Sequence, residues 1–520
     1  MKPIRLVAGF LTVGAWTMLS RIFGFARDIL IAAKLGDGPV AEAFVVAFSL
    51  PNMFRRFFAE GAFNMAFVPM FSKRLERGED PASFARDAFS GLASLLIVFT
   101  LIAQAAMPWL VLAMASGFAG DERLALATEF GRIAFPYILF ISLAALLSGV
   151  LNATGRFAAA AAAPVLLNLI LVAAMLSADW LGRDVGRALV WAVPVAGVAQ
   201  LALLWAATAR AGFPMVPRRP VLTPELKRLA VIAAPAMLAG GVVQINLIVG
   251  RQVASYFEGA IQYLNLADRL YQLPLGVVAI AIGVVLLPDL SRKLEAGDRV
   301  GGRDAFNRAT EFALLLTLPS ALALILIAHP IVSVLFGRGA FEPDAVANTA
   351  VVTAIYGAGL PAFVLQKVLQ PLYFARADTV TPFRYAVVAM VVNAVLALGL
   401  APFIGFTAAA WATTLAGWAM VVLLWRGSRG MGQEVTLDAR LRRRAGRIVA
   451  ATLAMGALLL GAAALLGDAL YTPTLRYAAL TALVLSGIVG FAAAAQLLGA
   501  ASIGEIRAAM RRSKQEPSTE

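Results

Sequence analysis

The chain has 520 residues, of which 61% are hydrophobic and only 14% charged, and its formal net charge is +14. So few charges, with a mean hydropathy of +0.82, exclude an ordinary soluble domain, in which about 25% of residues are charged. No cysteine is present and the only histidine is His329, which excludes disulfides, thiolate chemistry, Cys-ligated metals and histidine clusters.

Apolar runs longer than about 18 residues recur from end to end, each long enough to cross ~30 Å of hydrocarbon. They are continuous rather than alternating, so helices are expected and not a β-barrel. The first run, Leu6 to Leu35, is too long for the core of a cleavable signal peptide and has no small-residue cleavage site. In chain order the pattern predicts fourteen helical segments, at 6–34, 40–71, 84–113, 124–153, 157–178, 187–209, 226–254, 260–290, 304–328, 344–373, 380–400, 405–425, 446–467 and 474–499. His329 falls next to a predicted loop and is expected to be solvated. An even number of spans puts both termini on one side. Of the 44 Lys and Arg, 29 fall at the termini and in the connections on that side, including "RLRRR" (440–444) and Arg447, against about eight on the other. Basic residues favour the cytoplasmic face, so both termini are expected in the cytoplasm. The same placement accounts for the positive charge without nucleic acid as a partner.

Three segments recur about 220 residues apart. "FVPMFSKRLERGE" (67–79) matches "LLPDLSRKLEAGD" (286–298), "RDAFS" (86–90) matches "RDAFN" (303–307), and Pro136 and Asn168 are spaced like Pro361 and Asn393. The matches are polar, lie at helix ends and keep their order, which argues against chance. The offset covers six segments, an even number, so both copies have the same orientation. The expected fold is an all-α polytopic membrane protein of two six-helix lobes, 1–213 and 214–428, related by a parallel repeat. Two further helices (429–505) and a cytoplasmic tail (506–520) follow. Transporters built this way hold their substrate near the midplane between the repeats.

Several spans carry charge. Arg21, Gly24 and Asp28 share one face of the first segment, with Arg27 beside them. The second carries Asn52, Arg55, Arg56 and Glu60; the eighth carries Asp268, Arg269 and Gln272. A charge at the bilayer centre costs ~2.5–3.5 kcal/mol even on a lenient scale. These arginines are therefore expected to face protein or water. Pairing of Arg56 with Glu60, and of Arg27 or Arg269 with the neighbouring aspartate, absorbs part of the charge. The excess reads as a cationic cavity for an anion, since the arginine fork matches phosphate and carboxylate. Pro51, Pro69, Pro274 and Pro288, with Gly24, Gly61 and Gly276, bend the same helices, either as ordinary tolerance in membrane helices or as hinges. No phosphate loop, H-E-x-x-H or Ser/His/Asp set occurs, so an enzyme or a direct ATP-driven pump is not expected.

The motifs "SRIFGFARD" (20–28), "LPNMFRRFFAEGAFNMAFVP" (50–69) and "ADRLYQLPLG" (267–276) resemble the signatures of the bacterial MurJ/MviN lipid II flippases. These belong to the multidrug/oligosaccharidyl-lipid/polysaccharide exporter superfamily, and the resemblance covers essentially the whole chain. It implies a multi-pass protein of the bacterial cytoplasmic membrane that moves lipid II, the lipid-linked peptidoglycan precursor, to the periplasmic leaflet. It assigns substrate binding to Arg21, Arg27, Asp28, Arg55 and Arg269, with Asn52, Arg56, Glu60, Asp268 and Gln272 in support. Gln272 departs from the family, many members of which have an acidic residue there. The last two helices are expected to line a groove for the polyprenyl tail. No cofactor is implied. A coupling ion, Na or Cl, is left open, with Asn246, Asp378 and Asn393 as sodium candidates. Partners implied are lipid II, membrane lipids and the cell-wall synthesis machinery. Alternatives are a flippase for another lipid-linked oligosaccharide, such as O-antigen or exopolysaccharide, which the signature motifs disfavour, and a cation-coupled drug exporter, which would need cavity carboxylates rather than arginines.

Overall fold

The computed structural model describes residues 3–56, 66–216, 218–281 and 287–501, with side chains left undescribed at 3–11, 234–247, 277, 279–281 and 287. Among the described residues there are nineteen α-helices and no strand. They begin with α1 (Pro3–Leu35), α2 (Pro39–Arg55), α3 (Val68–Arg77), α4 (Pro81–Ala105), α5 (Met107–Met114), α6 (Glu122–Ala134) and α7 (Tyr137–Ala153). Next come α8 (Ala158–Trp180), α9 (Val185–Arg210), α10 (Pro224–Ala254), α11 (Ala260–Ala281), α12 (Leu287–Glu295) and α13 (Arg299–Leu326). The last are α14 (Ala328–Phe336), α15 (Pro343–Phe374), α16 (Val380–Ile404), α17 (Thr407–Ser428), α18 (Ala439–Leu466) and α19 (Arg476–Leu497). Each predicted segment lies on one or two of these helices. Ten helical runs, from Pro81–Ala105 to Arg476–Leu497, are long and apolar enough to cross a membrane among the described residues. The ten leave out α1 and α11, where charged motifs lie.

Where prediction and structure differ, the cause is local. The predicted helix 84–113 breaks at Ala106, because Pro108 has no N–H to continue the ladder and sits in the first turn of α5. Pro136 divides 124–153 into α6 and α7 in the same way. The segment 304–328 ends at Ile327, and α14 restarts around Pro330. His329 is in that first turn rather than in a loop, with Nδ1 3.3 Å from the Tyr471 hydroxyl. The largest difference is at α18. It starts at Ala439, so "RLRRR" is helical and not a connection. Asp438 caps the helix by accepting from the Leu441 N–H at 2.5 Å, and Arg and Leu are good helix formers.

By contacts the chain divides into two compact units, residues 1–262 with 338–341, and residues 263–337 with 342–520. In the first, α1 packs on α8, α8 and α7 on α9, and α2 on α6. Phe67 stacks on Phe71 and Phe84 in its buried core. In the second, α16 and α15 pack on α17, α13 on α15, and α18 on both α13 and α19. The pairs α8–α9 and α16–α17, α7–α9 and α15–α17, and α4–α7 and α13–α15 keep the order of the sequence repeat. α10, which opens the second repeat, belongs by its contacts to the first unit. Its Gln252 accepts from the Ser116 N–H at 2.8 Å and donates to the carbonyls of Leu112 and Ala113. The short segment 338–341 also belongs there. The Ala340 N–H donates to the Ala33 carbonyl at 2.9 Å. Gly339, at φ +60°, is required beside it, since a Cβ would lie 2.1 Å from that carbonyl oxygen.

In the second unit one acid gathers charges from two helices. Glu311 on α13 takes Arg308 at 2.6 Å, Arg440 at 3.4 Å and Arg444, and Arg308 also reaches Asp438. Arg308, which sequence placed inside a span, thus belongs to an ion-pair network joining α13 to α18. Glu311→Ala is expected to take one ion-pair partner from three guanidiniums, of which Arg308 keeps Asp438. Because those are partly exposed, the loss should be about 1–3 kcal/mol, below that for a fully buried pair. Thermal melting in detergent, with proteolysis at 429–445 to locate the loosening, checks this. An unchanged melting temperature would remove Glu311 from the account of how α18 is anchored.

Candidate functional site

The charged motifs fall in both units, and each group stands by itself. In the first unit, α1 buries Arg27 (8% exposed) and Asp28 (4%) among apolar helices. Arg27 donates from Nε and Nη2 to Asp28 Oδ1, at 3.0 and 2.7 Å. Its Nη1 donates to Asn168 Oδ1 on α8, at 2.9 Å. Asn168, 6% exposed, passes the contact on, its Nδ2 donating to the Ser20 carbonyl at 3.0 Å. The Phe48 ring of α2 lies 5.9 Å below the guanidinium carbon, within cation–π range. The pairing of Arg27 with the aspartate beside it, weighed from sequence, is thus present, and a second holder comes from 141 residues away.

Arg21 is exposed on the same helix, Arg55 is half-buried at the end of α2 and Arg56 is exposed. The hydroxyl of the buried Tyr137 donates to Gln200 Oε1 at 3.1 Å. Pro51 has no N–H to give Ala47, and the amide of Asn52 turns back on its own helix, donating to the Phe48 carbonyl at 2.8 Å. Glu60 and Gly61 lie outside the described residues, and with them the expected Arg56–Glu60 pair.

In the second unit, Asp268, Arg269 and Gln272 lie on α11 and are half-buried. Gln272 Nε2 donates to Asp268 Oδ2 one turn back. This amide therefore acts as a donor to a neighbouring carboxylate. Tyr271 packs against Tyr356 and Phe363, at 5.1 and 5.5 Å between ring centroids, which fixes the roll of α11 on α15.

Of the sodium candidates, Asp378 and Asn393 lie far apart. Asp378 is in the turn before α16, where the Thr381 N–H donates to it at 2.9 Å and holds its carboxyl below the ordinary carboxylate range. Asn393 is buried on α16 (1% exposed), roughly 20 Å further along the helix axis. The side chain of Asn246 lies outside the described residues. Groups of three or more His, Cys, Asp or Glu able to hold a metal are absent among the described residues.

Sequence reasoning missed a second buried pair. Glu42 on α2 (1% exposed) receives Arg123 Nη1 at 2.8 Å and the Ile261 N–H at 3.1 Å. Arg123 also donates to Asp121 at 2.6 Å and lies over Phe118 at 4.5 Å. The signal was available: an acidic residue just inside a predicted span and a basic one just before another.

Residues 31–485 match the family model described as "Lipid II flippase MurJ". A protein of Rhizobium meliloti (strain 1021) named "Probable lipid II flippase MurJ" is 44% identical, over 99% of this chain and 98% of its own length. The "Lipid II flippase MurJ" of Burkholderia cenocepacia is 37% identical, over 77% of this chain and 80% of its own. The solved structure "Lipid II flippase MurJ, inward closed conformation" superposes with a TM-score of 0.78, covering 94% of this chain and 98% of that one at 23% identity. That likeness concerns the fold.

Arg123→Ala leaves Glu42 as an uncompensated buried charge, and a loss of about 3–5 kcal/mol is expected. Glu42→Gln in the same background should restore much of it, because the amide still accepts from Ile261 without a charge to compensate. Thermal melts of the single and double variants in detergent check the pair; a double variant no more stable than Arg123→Ala would contradict it.

Proposed function

The chain belongs to the lipid II flippase MurJ family and is a lipid II flippase of the membrane, and from that premise we propose how it handles its substrate. The head group of lipid II carries a diphosphate and peptide carboxylates. Arg27, Arg55 and Arg269 are the anion-binding groups for it, with Arg21 at the more accessible position on α1. Asp28 holds Arg27, and on α11 Gln272 donates to Asp268, the neighbour of Arg269 in sequence. The observation that carries this reading is Arg27 itself, a buried guanidinium fixed by two side chains at 2.7–3.0 Å. Burial makes its charge-assisted hydrogen bonds strong, and its planar fork suits phosphate. No bond is made or broken in the substrate, so binding and release are the whole of the work.

In this reading all fourteen segments cross the cytoplasmic membrane, with both termini inside, and α18 and α19 carry the polyprenyl tail along their apolar faces. Alternating access bends α2 and α11 where Pro51 and Pro274 interrupt the hydrogen-bond ladder. The membrane potential drives the cycle. An anion moving outward gains ~2.3 kcal/mol per charge per 100 mV, less what the arginines neutralise. The emptied cationic site is drawn back by the same field.

Arg27→Ala and Arg269→Ala are each expected to cut lipid II binding by about ten- to a hundredfold, the range for a lost charge-assisted bond, and to abolish flipping while the protein still inserts. Lysine keeps the charge and loses the fork, so it should recover little. Exposure of lipid II at the outer leaflet is measured for each variant, and again in wild type after an ionophore collapses the potential at constant pH gradient. Normal flipping by Arg27→Ala would reject the site. An unchanged rate without potential would reject the driving force and leave the site standing.

A further inference from the structure

We propose that Asn168 is a positioning residue for substrate binding: it sets the orientation in which Arg27 meets the anionic head group. The inference rests on Arg27 being an anion-binding group, as above, and adds what aims it.

Asn168 lies in the middle of α8, in an apolar stretch with no other polar side chain between Ala158 and Met175. An amide there is costly unless both its ends are bonded. Both are, to the same neighbour: Oδ1 accepts from Arg27 and Nδ2 donates to the Ser20 carbonyl of α1. The orientation of the amide is not a free choice. An arginine can only donate and a carbonyl only accept, so a flipped amide would lose both bonds. The close approach is made by Gly24, where an added Cβ would come 3.3 Å from Asn168 Nδ2. Serine carbonyl, glycine gap and arginine thus form one face of α1 shaped to receive this amide.

The consequence lies in the count of donors. A guanidinium has five N–H groups. Asp28 takes two and Asn168 takes one, which leaves two, one on each terminal nitrogen, without a bond to any described residue. Asp28 alone would not define where those two point, since residues adjacent on a helix do not face each other. The third contact, from a different helix, does so. Swinging Arg27 away would break all three of its bonds to the buried carboxylate and amide, so the fork is preset before the phosphate arrives, and less freedom is lost on binding.

The test is a double-mutant cycle on the full chain, with lipid II as the probe and the dissociation constant as the readout. Asn168→Ala is made in wild type and in Arg27→Lys. It is expected to weaken binding roughly five- to thirtyfold in wild type and less than about twofold in Arg27→Lys. Equal losses from Asn168→Ala in both backgrounds would mean the residue only packs α8 against α1, and would overturn the inference. So would Asn168→Ala losing nothing. A poorly folded alanine variant is replaced by Asn168→Leu, read in the same cycle. Arg27→Ala alone separates the two levels: unchanged binding there rejects the site, whereas lost binding with a silent Asn168 rejects only the positioning role.

Discussion

A guanidinium among apolar helices must be surrounded by acceptors, and the bonds that satisfy Arg27 organise much of the first unit. Left facing lipid, an arginine costs several kcal/mol and the helix would roll it toward water. Here Asp28 and Asn168 remove that cost. In doing so they fix the roll of α1, join it to α8 and hold the charge in one place. On the proposed reading, the group that binds the anion and the group that packs two helices are the same. This explains why a chain so poor in charge keeps an aspartate and an asparagine in the middle of apolar runs.

The same economy appears at other points. Glu42 joins α2 to Arg123 and to the backbone at Ile261, and Glu311 gathers arginines from α13 and α18. Each buried acid holds basic groups on other helices, and in both places the partners lie far apart in sequence. Spare donors are common to both arginines: Arg27 keeps two N–H groups beyond Asp28 and Asn168, and Arg123 keeps three beyond Glu42 and Asp121. What sets the α1 cluster apart is its place in the charged motif of the first apolar run.

The helices were largely legible because hydrophobic length is a strong signal and polar repeats mark helix ends. The charged motifs were legible for the opposite reason, since charges in apolar runs demand an explanation. Pairing was not. Asn168 was visible as half of a repeated Pro–Asn spacing, but nothing in one sequence says that its partner is Arg27, because α8 meets α1 only through the fold. The breaks at Pro108 and Pro136 could have been read from proline chemistry, yet unbroken hydropathy hid them. "RLRRR" reads as a loop by composition. It is helical because Asp438 caps it and Glu311, more than a hundred residues earlier, compensates its charge. Gln272 reads as a lost carboxylate, and its bond to Asp268 turns it into support for one.

The most direct measurement is a cryo-electron microscopy structure of the full chain with lipid II bound. The expected result places a phosphate oxygen of the diphosphate within hydrogen-bonding distance of the terminal nitrogens of Arg27, with Asp28 and Asn168 still in contact with the same guanidinium. A diphosphate held elsewhere, with Arg27 still bonded only to Asp28 and Asn168, would make that cluster a packing device and contradict its role in carrying the substrate.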